Sequence, residues 1–175
     1  MHVMPALDRD HGIEPLLVGS LTSAAHEVFE TMVFRSLTAG APLHDTGLRP
    51  PADIVGTVGF TGDVSGLVTL YATLEAAREI AGAMLALDPA GLDDEITDAI
   101  GELANMVTGV FRTKLAGNGR PWAISVPTVV VGTDLYTKYL TAGRRVLRSF
   151  GMGDHQIFIE LVVAETPLNG GPQRS

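Results

Sequence analysis

Three polar residues near position 100 have the types and the spacing to do chemistry. In a helix of about 100° per residue, Asp98, Glu102 and Asn105 fall within about 40° of one line, opposite the apolar Ile100 and Leu103. Glu102 and Asn105, at i and i+3, therefore stand one turn apart in solvent. An amide both donates and accepts hydrogen bonds, so Asn105 could orient a water molecule without acting as a base.

Two glycines, Gly101 and Gly109, flank this polar pair. Each glycine costs about 1 kcal/mol in a helix relative to alanine, so both need a reason. We interpret their low bulk as room for another protein surface to approach the helix. The alternative is that Asp98 and Glu102 are ordinary solvated surface, as on many exposed helices.

The elements that must position this stripe can be predicted from periodicity and turn signals. The stripe belongs to the longest predicted helix, residues 92–116, and residues 54–60 and 67–73 form a predicted hairpin. Hairpin-linked strands and amphipathic helices predict an α+β fold, a two-layer domain whose long helices pack on one face of a mainly antiparallel sheet. The other predicted elements are a helix at 21–37 capped by Ser20 or Thr22, a loop at 39–53, a helix at 74–87, and strands at 122–131, 145–151 and 156–165.

The length of 175 residues suits one domain with a sizeable core. Residues 1–13 and 167–175 are predicted to be a flexible N-terminus and a flexible tail, because they are rich in polar residues, proline and glycine. Residues 14–166 are then a single domain.

The composition excludes several classes of function. A net charge of -8 and the absence of any run of Lys and Arg argue against a nucleic-acid partner. The chain has no cysteine, and its five histidines lack ligand spacing, so no metal is expected. It has neither a signal-peptide pattern nor an apolar run long enough to span a membrane, which predicts a cytoplasmic protein that makes no membrane contact.

The polar stripe also matches a family motif. The CheC, CheX and FliY phosphatases share Asp or Ser, three residues, Glu, two residues, Asn, twenty-one residues and Pro. This chain has Asp98, Glu102, Asn105 and Pro127 in that register. The sequence around the motif, the hairpin turn at 62–66 and residues 28–32 also resemble CheX, and the resemblance extends from about residue 16 to 165.

This resemblance implies a CheX-like phosphatase that hydrolyses the phosphoaspartate of a CheY-like response-regulator receiver domain. In that interpretation Asn105 positions the attacking water, Glu102 pairs with a lysine of the receiver, and Asp98 supports docking. Pro127 has no reactive group and no N–H, so we expect it to shape a strand edge. No cofactor of the chain's own is implied, because Mg²⁺ is expected on the receiver.

The first helix carries the same spacing in Ser23, Glu27 and Glu30, but a carboxylate replaces the amide and the proline position is Ala52. A carboxylate cannot donate a hydrogen bond and repels a phosphoryl group, which predicts a single active site. The alternative to catalysis is a receiver-binding or scaffold module related to flagellar switch proteins. A homodimer formed by sheet continuation, for example through residues 157–163, is also open.

Overall fold

The computed structural model describes residues 13–44, 47–62, 64–92, 94–115, 122–139 and 143–164. The predictions for residues 1–12 and 167–175 lie outside the described residues. The helices are α1 (Ile13–Val28), which continues into a π-helical turn (Phe29–Val33), α2 (Leu74–Leu85) and α3 (Glu95–Leu115). The strands are β1 (Thr38–His44), β2 (Ile54–Thr61), β3 (Gly66–Ala72), β4 (Ala123–Ile124), β5 (Thr128–Val131), β6 (Gly143–Met152) and β7 (His155–Ala164).

The described strands form one sheet in the order β1-β6-β7-β3-β2, and the outer edge of β2 pairs with β4 and then with β5. Each of these pairings is antiparallel. Apolar side chains of α1, α2 and α3 pack with alternate residues of the strands into one hydrophobic core. The predicted α+β fold, with helices on one face of an antiparallel sheet, is confirmed.

Helix α3 lies close against β2 because the strand offers no side chain at the point of contact. A Cβ built on Gly56 would lie 3.1 Å from Cγ2 of Ile100 and 3.3 Å from its carbonyl oxygen. Ile100 and Leu103 are fully buried there. The sheet therefore fixes the rotation of α3 about its own axis, and this rotation decides which of its residues face solvent.

The second face of the sheet is partly covered by the chain between β5 and β6. Leu135 donates its backbone N–H to the carbonyl of Ala52 at 2.7 Å, and Gly132 donates to the carbonyl of Asp53 at 2.8 Å. Leu135 packs on a small second core that includes Tyr71 and Phe158. This coverage explains why β7 is buried on both faces rather than alternating between core and solvent.

The predicted start of the first helix was wrong. Helix α1 begins at Ile13 rather than at Leu21, because buried Leu17 extends its apolar stripe by a turn. Thr22 does not cap the helix. Its hydroxyl donates to the carbonyl of Val18 at 2.7 Å and accepts a 2.6 Å hydrogen bond from Arg148.

Two strand predictions need correction. The predicted loop at 39–53 contains β1, an edge strand whose register shifts between Ala39 and Pro42. The glycines and prolines of this segment predicted a loop, yet both residue types are tolerated in an irregular strand at the edge of a sheet. The predicted strand at 122–131 is two short strands, β4 and β5, separated by residues 125–127.

The suggestion that residues 157–163 could extend the sheet into a second copy was also wrong. These residues lie in β7, which is paired with β3 on one side and with β6 on the other. No free edge is left on β7 for another chain.

Candidate functional site

The predicted polar stripe lies on the outer side of α3. Asp98 and Glu102 are exposed and Asn105 is half-buried. None of the three side chains has a hydrogen bond or ion pair with another described residue. Opposite them, the helix buries Ile96, Ile100, Leu103, Val107 and Phe111. A carboxylate and an amide one turn apart are thus held on one helix, without a partner among the described residues.

Gly101 serves a different purpose from the one predicted. It is buried, and a Cβ built on it would lie 3.2 Å from Cγ2 of Val129 and 3.7 Å from Cγ of Pro127. The missing side chain therefore makes room for β5 of the same chain, not for a partner protein. Gly109 has no atom within 4 Å of its built Cβ, so nothing among the described residues explains that glycine.

This contrast between the two glycines gives a matched pair of stability predictions. Gly109→Ala is expected to raise the free energy of unfolding by up to about 1 kcal/mol, because alanine favours the helix and meets nothing. Gly101→Ala should gain less or lose stability, because its methyl group would press on Val129. Urea unfolding of both variants tests this, and equal gains would contradict the close packing of α3 on β5.

Pro127 lies in a β-bulge beside the stripe. Phe60 of β2 pairs with Ile124 and Thr57 pairs with Thr128, so residues 125–127 lie opposite only residues 58 and 59. Such an extra residue bends a strand and redirects its side chains. Pro127 follows Asn105 by twenty-two positions in sequence, yet it contacts Gly101, the neighbour of Glu102.

The bulge is fixed by its own hydrogen bonds. Ser125 donates its N–H to the carbonyl of Gly59 at 2.9 Å, and the N–H of Gly59 donates to Oγ of Ser125 at 2.9 Å. The Ser125 hydroxyl donates in turn to the carbonyl of Val126 at 2.9 Å. Neither Ser125 nor Val126 was predicted to belong to the site, because a bulge is visible only once the strand pairing is known.

The related polar residues of α1 are arranged differently. Ser23, Glu27 and Glu30 are exposed. Glu27 forms a 2.7 Å ion pair with Lys114 near the end of α3. A carboxylate already engaged by a lysine of its own chain is less available to a partner. A single site on α3 stays a prediction.

Two histidines have carboxylate partners within the chain. His44 pairs with Glu14 at 2.5 Å and His155 pairs with Glu79 at 3.0 Å. Across the described part of the chain, no three His, Asp or Glu side chains gather where they could hold a metal ion. Within the same residues, no helix combines the length and the hydropathy needed to cross a bilayer.

The arginines of β6 also act within the chain. Arg148 donates to the carbonyl of Gly40 at 2.8 Å and to the hydroxyl of Thr22. These two hydrogen bonds connect β1 with α1. Arg145 pairs with the fully buried Glu160 of β7. These contacts make Arg145 and Arg148 part of the bonding that holds the sheet and α1 together.

Comparison with known proteins agrees with this arrangement. The profile of the family described as "Chemotaxis phosphatase CheX" matches residues 54–150, a range that includes all four predicted site residues. The CheY-P phosphatase CheX of Thermotoga maritima is 30% identical over 123 residues, covering 70% of this chain and 79% of that protein.

Solved structures share the fold. The chemotaxis protein CheX of Vibrio vulnificus superimposes with a TM-score of 0.77 at 28% identity, covering 84% of this chain and 98% of that one. CheX of Borrelia burgdorferi, solved in a complex with CheY, BeF3 and Mg²⁺, superimposes with a TM-score of 0.71 at 20% identity, covering 85% of this chain and 98% of that one.

The antiparallel sheet, its helical layer and the exposed stripe on α3 define a CheC/CheX-like domain. Within that class, the chain belongs to the family of chemotaxis phosphatases named CheX. The resemblance inferred from the motif is confirmed.

Proposed function

We propose that this protein is a phosphatase that hydrolyses the phosphoaspartate of a CheY-like response-regulator receiver domain. The observation that carries the proposal is the pair of Glu102 and Asn105, one helical turn apart with no partner among the described residues, in a chain of the CheX family. A relative that is 30% identical carries the name CheY-P phosphatase. The substrate is then another protein, and α3 is the element that enters its phosphorylation site.

Asn105 supplies the positioning step in this mechanism. Its amide N–H₂ donates a hydrogen bond to the water oxygen while its carbonyl oxygen accepts a hydrogen bond from the same water, which aligns the water with the bond that breaks. The water oxygen then bonds to phosphorus as the bond from phosphorus to the aspartate oxygen breaks. The receiver recovers a free carboxylate, and inorganic phosphate leaves as dihydrogen phosphate, carrying both hydrogens of the water. Phosphoryl transfer needs mainly such alignment and charge stabilisation.

Glu102 anchors the helix at the site. Its exposed carboxylate suits a cation on the receiver, which we assign as a lysine beside the phosphoryl group. Asp98 lies one turn earlier on the same exposed side and supports docking through the same charge complementarity. Mg²⁺ is supplied by the receiver, so the chain needs no cofactor of its own. A phosphorylated receiver as substrate also assigns the reaction to the cytoplasm.

A non-catalytic receiver-binding or scaffold module is the other candidate function, and turnover separates the two. We expect the protein, at one tenth of the molar amount of phosphorylated receiver, to release more than one equivalent of phosphate per molecule. Time-resolved phosphate release measures this, with receiver alone as the control. Release that stops at one equivalent, or never exceeds the rate of receiver alone, would favour the scaffold.

A homodimer is a further proposal about partners. The outer strands of the described sheet are β1 on one side and the short β4 and β5 on the other. We expect β1, with seven residues, to carry any sheet continuation, because it is longer than β5 with four residues.

A further inference from the structure

An exposed valine stands beside the polar stripe. Val126 is 84% exposed, the highest value among the large hydrophobic side chains of the described residues. It immediately precedes Pro127, whose ring lies against Gly101 next to Glu102. From position 122 to 133 the chain carries no charged residue, whereas the stripe carries Asp98 and Glu102. The acidic stripe and this uncharged segment therefore meet where Pro127 lies against Gly101.

The hydrogen bonds of the bulge fix the backbone of Val126, so that its side chain stays exposed instead of packing onto the protein. The Ser125 hydroxyl binds the Val126 carbonyl, and the backbone of Ser125 is bonded to Gly59. Proline on the other side restricts its own φ and the backbone of Val126. An apolar side chain kept in water by a fixed backbone loses little conformational entropy when a partner covers it.

We propose that Val126 is a docking contact for the receiver domain. It packs on an uncharged part of the receiver surface that borders the phosphorylated aspartate, while Glu102 and Asn105 enter the phosphorylation site. The inference rests on the proposed function, because it assigns Val126 to the same encounter. Val126 does not touch the reacting atoms, so it sets the affinity for the receiver and not the rate of the chemical step.

A second copy of this chain is a poorer occupant of the same surface. The bulge interrupts the hydrogen-bonding edge that another strand would need, and β4 and β5 have only two and four residues. A receiver that already meets α3 needs only side-chain contact at Val126. The position of Val126 next to Pro127, which lies against Gly101 of α3, therefore favours the receiver.

The test compares Val126→Ser with Leu16→Ser. Leu16 is another exposed hydrophobic residue, 48% exposed, on α1, whose Glu14 pairs with His44 of β1 at the opposite edge of the sheet. We expect Val126→Ser to raise both the KM for phosphorylated receiver and the Kd for beryllofluoride-activated receiver roughly tenfold. The kcat should stay within about twofold, since the reacting groups are unchanged. Leu16→Ser should change none of these values. Val126→Ile keeps an apolar side chain and should bind the receiver as tightly as the unmodified protein.

Thermal melting of each variant checks that it is folded, and Val126→Thr replaces Val126→Ser if the serine variant is not. An unchanged KM and Kd in an active enzyme would overturn the role of Val126 and leave the proposed function intact. Absence of turnover and of receiver binding in the unmodified protein would overturn both. Dissociation of a dimer by Val126→Ser, seen by sedimentation with receiver affinity unchanged, would assign the surface to a second copy and overturn the inference.

Discussion

Asn105→Ala is expected to slow dephosphorylation of the receiver by at least roughly a hundredfold, toward the rate of the receiver alone. Alanine removes the donor and the acceptor that align the attacking water, and no other described side chain binds Asn105. The loss should appear in kcat, because Glu102 and the docking surface remain. Phosphate release at saturating phosphorylated receiver measures kcat directly.

Several variants separate the chemistry from folding and binding. Asn105→Asp has the same shape but cannot donate, so it should be as slow as alanine. Gln156→Ala removes an exposed amide on β7, away from the stripe, and should keep the full rate. The Kd of Asn105→Ala for beryllofluoride-activated receiver should stay within about threefold. A full rate in Asn105→Ala, with unchanged melting, would remove Asn105 from the mechanism.

The helical stripe could be predicted from sequence because it is a local pattern. The apolar residues of 92–116 repeat at the helical period, and their period alone assigns Glu102 and Asn105 to the opposite face. The structure places Glu102 in solvent and leaves Asn105 half-buried. The hairpin of β2 and β3 was equally local, and its predicted ends differ from the observed ones by at most one residue.

The remainder of the site depends on contacts between distant parts of the chain. Gly101 was predicted to leave room for a partner protein. Only the pairing of β5 with β2 shows that Val129 and Pro127 of the same chain occupy that room. The bulge at 125–127 follows from the register of β4 and β5 against β2. Because these strands are far apart in sequence, no local pattern reveals that register. Strand β1 was missed for a similar reason, because its glycine and proline are acceptable only at an edge.

A buried polar cluster on the second face of the sheet carries the other large effect. Glu160 is fully buried, and its two oxygens accept hydrogen bonds from Arg145 and from the hydroxyl of Tyr71. Burial raises the pKa of Tyr71, so the hydroxyl stays protonated and able to donate. The same hydroxyl accepts from Thr137, which ties the covering segment 132–139 to the sheet.

Glu160→Ala is therefore expected to lower the free energy of unfolding by about 3–5 kcal/mol. The variant deprives a partly buried guanidinium and a buried hydroxyl of their shared acceptor. Such a loss is a large part of the roughly 5–15 kcal/mol that stabilises a typical domain. Urea unfolding followed by circular dichroism measures it, and a loss below about 1 kcal/mol would contradict the burial of a charged pair.

The double variant Arg145→Met, Glu160→Leu distinguishes a charge effect from a packing effect. The double variant removes both charges and keeps apolar volume, so no guanidinium is left without the carboxylate of Glu160. It should therefore be more stable than Glu160→Ala by at least about 1 kcal/mol. The cluster faces away from α3, so catalysis by the double variant should remain near normal while the protein is folded. If the double variant were the less stable of the two, the ion pair itself, rather than the penalty for breaking it, would hold the covering segment on the sheet.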